Sequence, residues 1–206
     1  MRGVGKLVCH AREGVGAIAT QSNMNPYWAY DGLRAMSGGA KAAEALREVV
    51  DADPGREFRQ CGMMDMEGRS AAWTGEETPP WSGDLTGEDY AAQGNRLVGP
   101  ETLRETVRAF HESEGLPLVE RLLLALEAGE ATGADKEGAI SANIIVMDTE
   151  EYPLWDVRVD HAEDSVVELR RLYKEFAENL APVIRGLPTR NDPLGDNVRQ
   201  QRGWSV

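Results

Sequence analysis

The stretch Gly14-Val15-Gly16-Ala17-Ile18-Ala19-Thr20-Gln21-Ser22-Asn23 constrains this chain more than any other. It joins small side chains and almost no charge to a sudden burst of amide and hydroxyl groups at its end. Gly14 and Gly16 let a second backbone come close, or permit a bulge. Ala17 to Thr20 is bland enough to be covered on both faces, as a strand inside a layered domain must be. Thr20, Gln21, Ser22, Asn23 and Asn25 then arrive together, just before Pro26 turns the chain. A covered strand that delivers neutral hydrogen-bonding groups to one end is one way of building a site. A core strand running into an ordinary polar turn has the same pattern.

The rest of the chain groups its elements in pairs. Met1 to His10 is too short and glycine-rich for a complete element and reads as the tail of a loop or strand. Tyr27 to Met36 carries Trp28, Leu33 and Met36 and stops at Ser37-Gly38-Gly39. Ala40 to Asp51 is an amphipathic helix, with Ala42, Leu46, Val49 and Val50 on one side and Lys41, Glu44, Arg47 and Glu48 opposite. Arg56 to Met66 alternates as a strand, Asp65 to Gly68 turns, and Ser70 to Thr74 returns as its hairpin partner. Glu76 to Gly87 reads as a loop, and Asp89 to Leu97 as a second small-residue strand ending in amides. Two helices follow, the first opening at Pro100 and the second spanning Leu116 to Glu130. Ile140 to Asp148 is a buried strand with Asp156 to Asp160 as its antiparallel neighbour. Asp164 caps a last long helix.

Pairs of helices and pairs of strands, without strict alternation, predict an α+β fold of two mainly antiparallel sheets with helices outside. A length of 206 residues suits one domain with a sizeable core, placed at residues 1–187, followed by a polar tail at 188–206.

Composition removes several classes of function. A net charge of −13 opposes binding to nucleic acid or to an anionic membrane, because phosphate contacts need clustered Lys and Arg. No apolar run approaches the roughly 18 residues that span a bilayer, and Met1 to Lys6 lacks the apolar core of a secretory signal. Cys9 and Cys61 lie far apart without a CxxC spacing and read as reduced thiols of a cytoplasmic protein. Two Cys and three scattered His assemble no structural zinc site. No metal or organic cofactor is implied.

The usual catalytic signatures are absent: no P-loop, no GxGxxG after a strand, no GxSxG elbow. His10, His111 and His161 stand apart. What remains are neutral polar groups at strand ends: Gln21 with Ser22, Thr74 with Gly75, Gln93-Gly94-Asn95, and Ser141 with Asn143. Such groups suit an oxyanion hole or an amide-substrate pocket, and each one singly also suits an ordinary turn. Asp135-Lys136 is either a site pair in a glycine-flanked loop or a solvated turn.

Five of these segments carry a resemblance, in order along the chain: Gly14 to Gln21, Asp53 to Gln60, Trp73-Thr74-Gly75, Ala92 to Leu97, and Asp135 to Gly138 running into Ser141-Ala142. Together they resemble the bacterial and archaeal family called domain of unknown function 1028, over roughly Cys9 to Leu172. That family is grouped by resemblance with the N-terminal-nucleophile hydrolases, which implies a four-layer αββα sandwich. The implied chemistry is attack on an amide carbonyl by a Ser, Thr or Cys at the first position, with its own α-amine as base. On that basis Asn95 and Gln93 are the first candidates for oxyanion or substrate contact. Gln21, Ser22, Thr74 and Gly94 would line the substrate, with Asp135 and Ser141 as orienting groups.

The chain departs from the pattern at its start. Family members open earlier, with a short Met-Thr or Met-Ser beginning and a first strand and hairpin. Here Arg2 follows Met1, so removal of Met1 frees no nucleophile. The expectation is a chain lacking its first strand or hairpin, and its nucleophile with it. Cleavage before Cys9 would instead expose a thiol. Two readings result: a hydrolase domain for a small amide-like substrate, incomplete in this chain, or a non-catalytic ligand-binding protein with the same pocket. In the second, the last helix and the tail with Trp204 would serve contacts in a possible homo-oligomer.

Overall fold

A computed structural model describes residues 2–203, and Trp204 lies outside them. The chain is mixed α+β with antiparallel sheets. A four-stranded sheet comprises β1 (Cys9–Arg12), β2 (Gly16–Ser22), β3 (Arg59–Asp65) and β4 (Ser70–Thr74), in that order. Two separate hairpins follow, β5 (Gly83–Gly87) with β6 (Tyr90–Gly94), and β7 (Ala142–Val146) with β8 (Trp155–Val159). The helices are α1 (Pro26–Ser37), α2 (Ala42–Ala52), α3 (Glu101–Glu112), α4 (Leu118–Glu130), α5 (Ser165–Asn179), α6 (Ala181–Arg185) and α7 (Asp196–Arg202).

Packing sorts these elements by the faces of their strands. Even-numbered residues of β2 and odd-numbered residues of β3 meet α1 and α2, where Ile18, Trp28, Met36, Leu46, Val49, Cys61 and Met63 form one apolar core. A second core joins α4 and α5 to one face of β7 and β8 through Val119, Leu123, Ile144, Val146, Val157 and Leu169. The opposite face of the four-stranded sheet receives β5 and β6 on β3 and β4, and β7 on β1. α3 packs on β5 and β6 and also on α4, so the helices tie the two hairpins together from outside.

Two buried carboxylates fix the first helix pair to the sheet. Asp53 accepts from Asn25 Nδ2 at 2.9 Å, Trp28 Nε1 at 2.9 Å and the Gly55 amide at 2.7 Å, with Arg59 beside it. Asp65, the last residue of β3, accepts from the Ala42 amide at the start of α2 and from Glu67, Arg69 and the Arg69 guanidinium. A carboxylate at a helix N-terminus faces free N–H groups and the positive end of the dipole. On the other side Arg170 of α5 bridges Glu120 and Glu127 of α4.

Several boundaries differ from the sequence reading. Near the start of the chain a 3₁₀ turn at Val4–Lys6 leads into β1, a strand that the sequence reading did not mark, whose residues pair antiparallel with Gly16 to Ala19. Arg56–Phe58 is a 3₁₀ turn, so β3 begins at Arg59. Gly83–Gly87, expected as loop, is β5; its composition carries no strand alternation, and only pairing with β6 makes it extended. Pro100 caps α3 rather than opening it. The second layer is two hairpins rather than one continuous sheet. The polar tail contains α7, held by Asn197 to the Val183 and Gly186 carbonyls.

Burial pushes the Asp65 carboxyl up, but the bonds from Ala42, Arg69 and Glu67 outweigh it and hold the group below its ordinary 3.8. A depressed carboxylate stabilises the fold above its unfolded value, and that contribution fades as pH falls through the folded value. Asp65→Asn should therefore cost about 2 kcal/mol at neutral pH, and the gap from the parent should narrow as pH falls below the ordinary 3.8, as read by urea unfolding.

Candidate functional site

The strand register builds the site. Gln21 pairs with Gln60, and Gln60 with Thr74, so three neutral polar side chains stand in one row on the face turned toward β5 and β6. The neighbouring row is Cys9, Ala19, Gly62 and Ala72. From the other side Asp84 and Gln93 pair with each other across β5 and β6 and face the same space.

A continuous hydrogen-bond chain crosses between the layers. Asn95 Nδ2 donates to Gln60 Oε1 at 3.0 Å. The two N–H groups of Gln60 Nε2 are shared among three acceptors, Thr74 Oγ1 at 3.0 Å, the Gly94 carbonyl at 2.9 Å and the Gly83 carbonyl at 3.1 Å. Thr74 Oγ1 then donates to Asp84 Oδ2 at 2.5 Å. Gln60 is wholly buried, and every polar atom of its side chain is engaged, as a buried amide requires. Beside this chain Gln93 Nε2 donates to the Ala19 carbonyl at 3.1 Å. A Cβ on Gly62 would sit 2.2 Å from Gln93 Oε1, so glycine at 62 is what lets the Gln93 amide lie flat on the sheet.

Of the residues singled out from sequence, Gln21, Thr74, Gln93, Gly94 and Asn95 thus lie together. The Asn95 amide has one further N–H and an oxygen to offer, and Asn95 is half-buried. Gly94 contributes its carbonyl. Cys9 sits one row along, half-buried, with the Asn143 amide and Arg158 nearby. Burial pushes its thiol up, and the Asn143 amide and the Arg158 charge only partly oppose this. Cys9 follows Val8 in the chain, so no α-amine adjoins the thiol. Asn143 Nδ2 is itself buried without a hydrogen bond of normal geometry.

Three candidates lie elsewhere. Ser22 pairs with Arg59 on the opposite face from Gln21 and lines a shallow, solvent-open depression with Asn23, Met24, Phe58 and Arg59. The odd-even alternation of a strand sends neighbours to opposite sides, which the sequence reading of a single polar burst overlooked. Asp135 turns into its own loop, where Oδ1 accepts from the Glu137 amide at 2.8 Å. That loop is stitched to the segment after Asn95 by Lys136 N to the Arg96 carbonyl and Val98 N to the Ala134 carbonyl. Ser141 directly precedes β7.

Sequence reasoning gave no role to Gln60 or Asp84. Gln60 carried a signal: a lone amide in an alternating run whose neighbours read as buried. Asp84 carried none, because its segment looked like loop. Among the described residues no group of three or more His, Cys, Asp or Glu is placed to hold a metal ion, and no helix is long and apolar enough to cross a membrane.

The model of a family described as "Family of unknown function (DUF1028)" matches residues 1–169. The chain belongs to the DUF1028 family. Among solved structures it is similar to the crystal structure of protein SPO2555 from Silicibacter pomeroyi, also assigned to DUF1028. The two share 28% sequence identity and a TM-score of 0.85, over 94% of this chain and 88% of that one. No curated protein matches it. The Gln93-Gly94-Asn95 and Trp73-Thr74-Gly75 segments that carried the resemblance are, in this DUF1028 chain, the ones that meet at Gln60.

Gly62→Ala should cost about 1–3 kcal/mol. The double variant with Gln93→Ala should cost less than the sum of the two singles, since removing the amide frees the space. Additive urea-unfolding energies would contradict the packing described. A second expectation concerns Glu130, which burial and the nearby Asp164 and Asp135 push above its ordinary 4.5. The charged form is disfavoured in the fold, so stability is full below that value and falls as pH rises through the raised one. Glu130→Gln should raise Tm at neutral pH and leave it unchanged below about pH 4.

Proposed function

We propose that this chain is the substrate-recognising part of an N-terminal-nucleophile-type hydrolase acting on a C–N bond of a small amide-like substrate. In this reading the layers run helices, four-stranded sheet, hairpins, helices, as a four-layer αββα sandwich. The observation that carries it is the Asn95–Gln60–Thr74–Asp84 chain, with Gln21 and Gln93 beside it. Its neutral amides, with Asp84 set apart from them behind Thr74, suit a carbonyl oxygen that gains charge during attack. Gln60 fixes the direction of the Asn95 amide, leaving its second N–H for the substrate. Gln21 stands next to Gln60 in the same row and is half-buried, placed to meet an amide from the strand side.

The attacking group is not part of this cluster. Thr74 has its hydroxyl committed between Gln60 and Asp84, and the Cys9 thiol is held protonated by burial. Among the described residues of the cluster the site therefore supplies recognition and oxyanion stabilisation, and neither Thr74 nor Cys9 is an activated nucleophile. A cytoplasmic setting suits the two unpaired cysteines.

A second reading, a non-catalytic binder of small carboxamides, is favoured by one observation: Asn95 and Gln93 both already donate to protein acceptors. Chemical rescue separates the two. Hydroxylamine added to a small acyl amide attacks its carbonyl, expels the amine and leaves a hydroxamate. The hydrolase reading expects the purified chain to accelerate hydroxamate formation, and Asn95→Ala to remove about a hundredfold of that rate. Asn95→Ala should also lose about 1–3 kcal/mol of stability, because Gln60 Oε1 is left unpaired. Saturable amide binding with no acceleration would move the assignment to the binder.

A further inference from the structure

The amides around Gln60 are committed to the protein by their nitrogens and not by their oxygens. Asn95 gives one N–H to Gln60 Oε1, and Gln93 gives one to the Ala19 carbonyl. Both partners are acceptors, so neither amide can be turned end for end, and its oxygen is the atom left over. No described residue donates to Asn95 Oδ1 or Gln93 Oε1, and the Gln21 side chain beside them makes no hydrogen bond among the described residues. All three residues are half-buried, and none of these oxygens is sealed from solvent.

Asp84 adds the one formal charge of this cluster. The Thr74 hydroxyl accepts from Gln60 and must therefore donate onward, which holds Asp84 as an acceptor at 2.5 Å. Asp84 is half-buried, takes that single hydrogen bond and forms no ion pair among the described residues. Arg96, the cation next to Asn95 in the chain, is turned instead to Glu137. Gln93 stands directly opposite Asp84 across the hairpin, with about 5 Å between Cβ atoms. A carboxylate partly withdrawn from water and without a counter-ion favours a cation that can reach it. The net charge of −13 draws cations toward the molecule and repels anions before contact.

We propose that Asp84 selects an amide that also carries a protonated amine, with the ammonium held by Asp84 and the Gln93 oxygen and the amide carbonyl at Asn95. The proposal rests on the amide-pocket reading above, in its hydrolase or its binder form, and names the class of amide. An ammonium brings three N–H donors and no acceptor, which answers groups that keep their oxygens free. An amide bearing a carboxylate would meet Asp84 and those oxygens with no donor to offer, and is refused. Asn95 and Asp84 stand at the two ends of a chain of three hydrogen bonds, so a short spacer separates carbonyl from cation. Asp84 acts on specificity and takes no part in breaking the C–N bond.

The test is calorimetric titration of the purified chain, at neutral pH and low salt, with primary amides of one skeleton. β-Alaninamide carries an ammonium, butyramide a methyl in its place, and succinamate a carboxylate. Propylammonium, an amine without the amide, is the fourth probe. β-Alaninamide should bind at least about tenfold tighter than butyramide, and succinamate weakest. Asp84→Asn keeps an oxygen for the Thr74 hydroxyl, so Tm should stay near the parent's while the preference falls to within about twofold. Glu88→Gln makes the same change of charge at the exposed turn of the hairpin and should leave the preference intact. Equal binding of β-alaninamide and butyramide, or tightest binding of succinamate, overturns the proposal and leaves the amide reading standing. A preference that survives Asp84→Asn, or is lost equally in Glu88→Gln, overturns it in favour of the net charge. Propylammonium binding as tightly as β-alaninamide overturns the amide reading and the substrate class with it, leaving Asp84 as a bare cation site. No binding by any of the four overturns both.

Discussion

The buried amide of Gln60 is the interaction on which the middle of this molecule depends. Both apolar cores lie at helix–sheet interfaces, one under α1 and α2 and the other under α4 and α5. Between the strand layers there is little apolar area to bury, because apart from Met64 the facing residues include Ala17, Ala19, Gly62, Ala72 and Ala91 with amides among them. Hydrophobic attraction is proportional to area, so it holds helices to sheets far better than it holds sheet to hairpin here. Gln60 supplies the missing cohesion by bonding Thr74 within its own sheet and Gly83, Gly94 and Asn95 across the gap. The same feature makes the region suitable as a site: small residues bring backbones close, and the amides that replace apolar contacts are the groups a substrate carbonyl needs.

Charge is organised on the outside and at the helix ends. Asp53 and Asp65 are the buried exceptions, and each is surrounded by donors. Ion pairs such as Arg108 with Glu105 and Arg171 with Glu168 run along exposed helix faces and contribute little individually. The surplus of acid is therefore largely a property of the surface, and the candidate site joins neutral amides to the single carboxylate of Asp84.

Much of the fold was legible because its periods are strong. The helices at Ala42–Ala52 and Leu118–Glu130 follow from apolar spacing, and the hairpin at Asp65 to Gly68 from turn residues between alternating runs. β5 was not legible: Gly-Asp-Leu-Thr-Gly has no alternation, and its extended form comes from pairing with β6. β1 was hidden for the same reason, four residues made into a strand by Gly16 to Ala19 beside them. At the site, Gln93 and Asn95 stood out as amides at the end of a small-residue strand. Gln60 was masked by the hydrophobic residues around it, and Ser22 was grouped with Gln21 although one residue of offset sends it to the other face.

The sequence by itself determined which segments are helical, that the strands are antiparallel and small-sided, and that neutral amides gather at their ends. Those properties are local, fixed by periodicity, turn chemistry and side-chain size within a few residues. Only the tertiary structure decided which amides meet, because Gln60, Thr74, Asp84 and Asn95 are brought together by register and by the packing of a hairpin on a sheet. It also decided that β7 packs on β1 and β6 on β3 and β4, since coverage depends on where distant segments land and no local pattern encodes that.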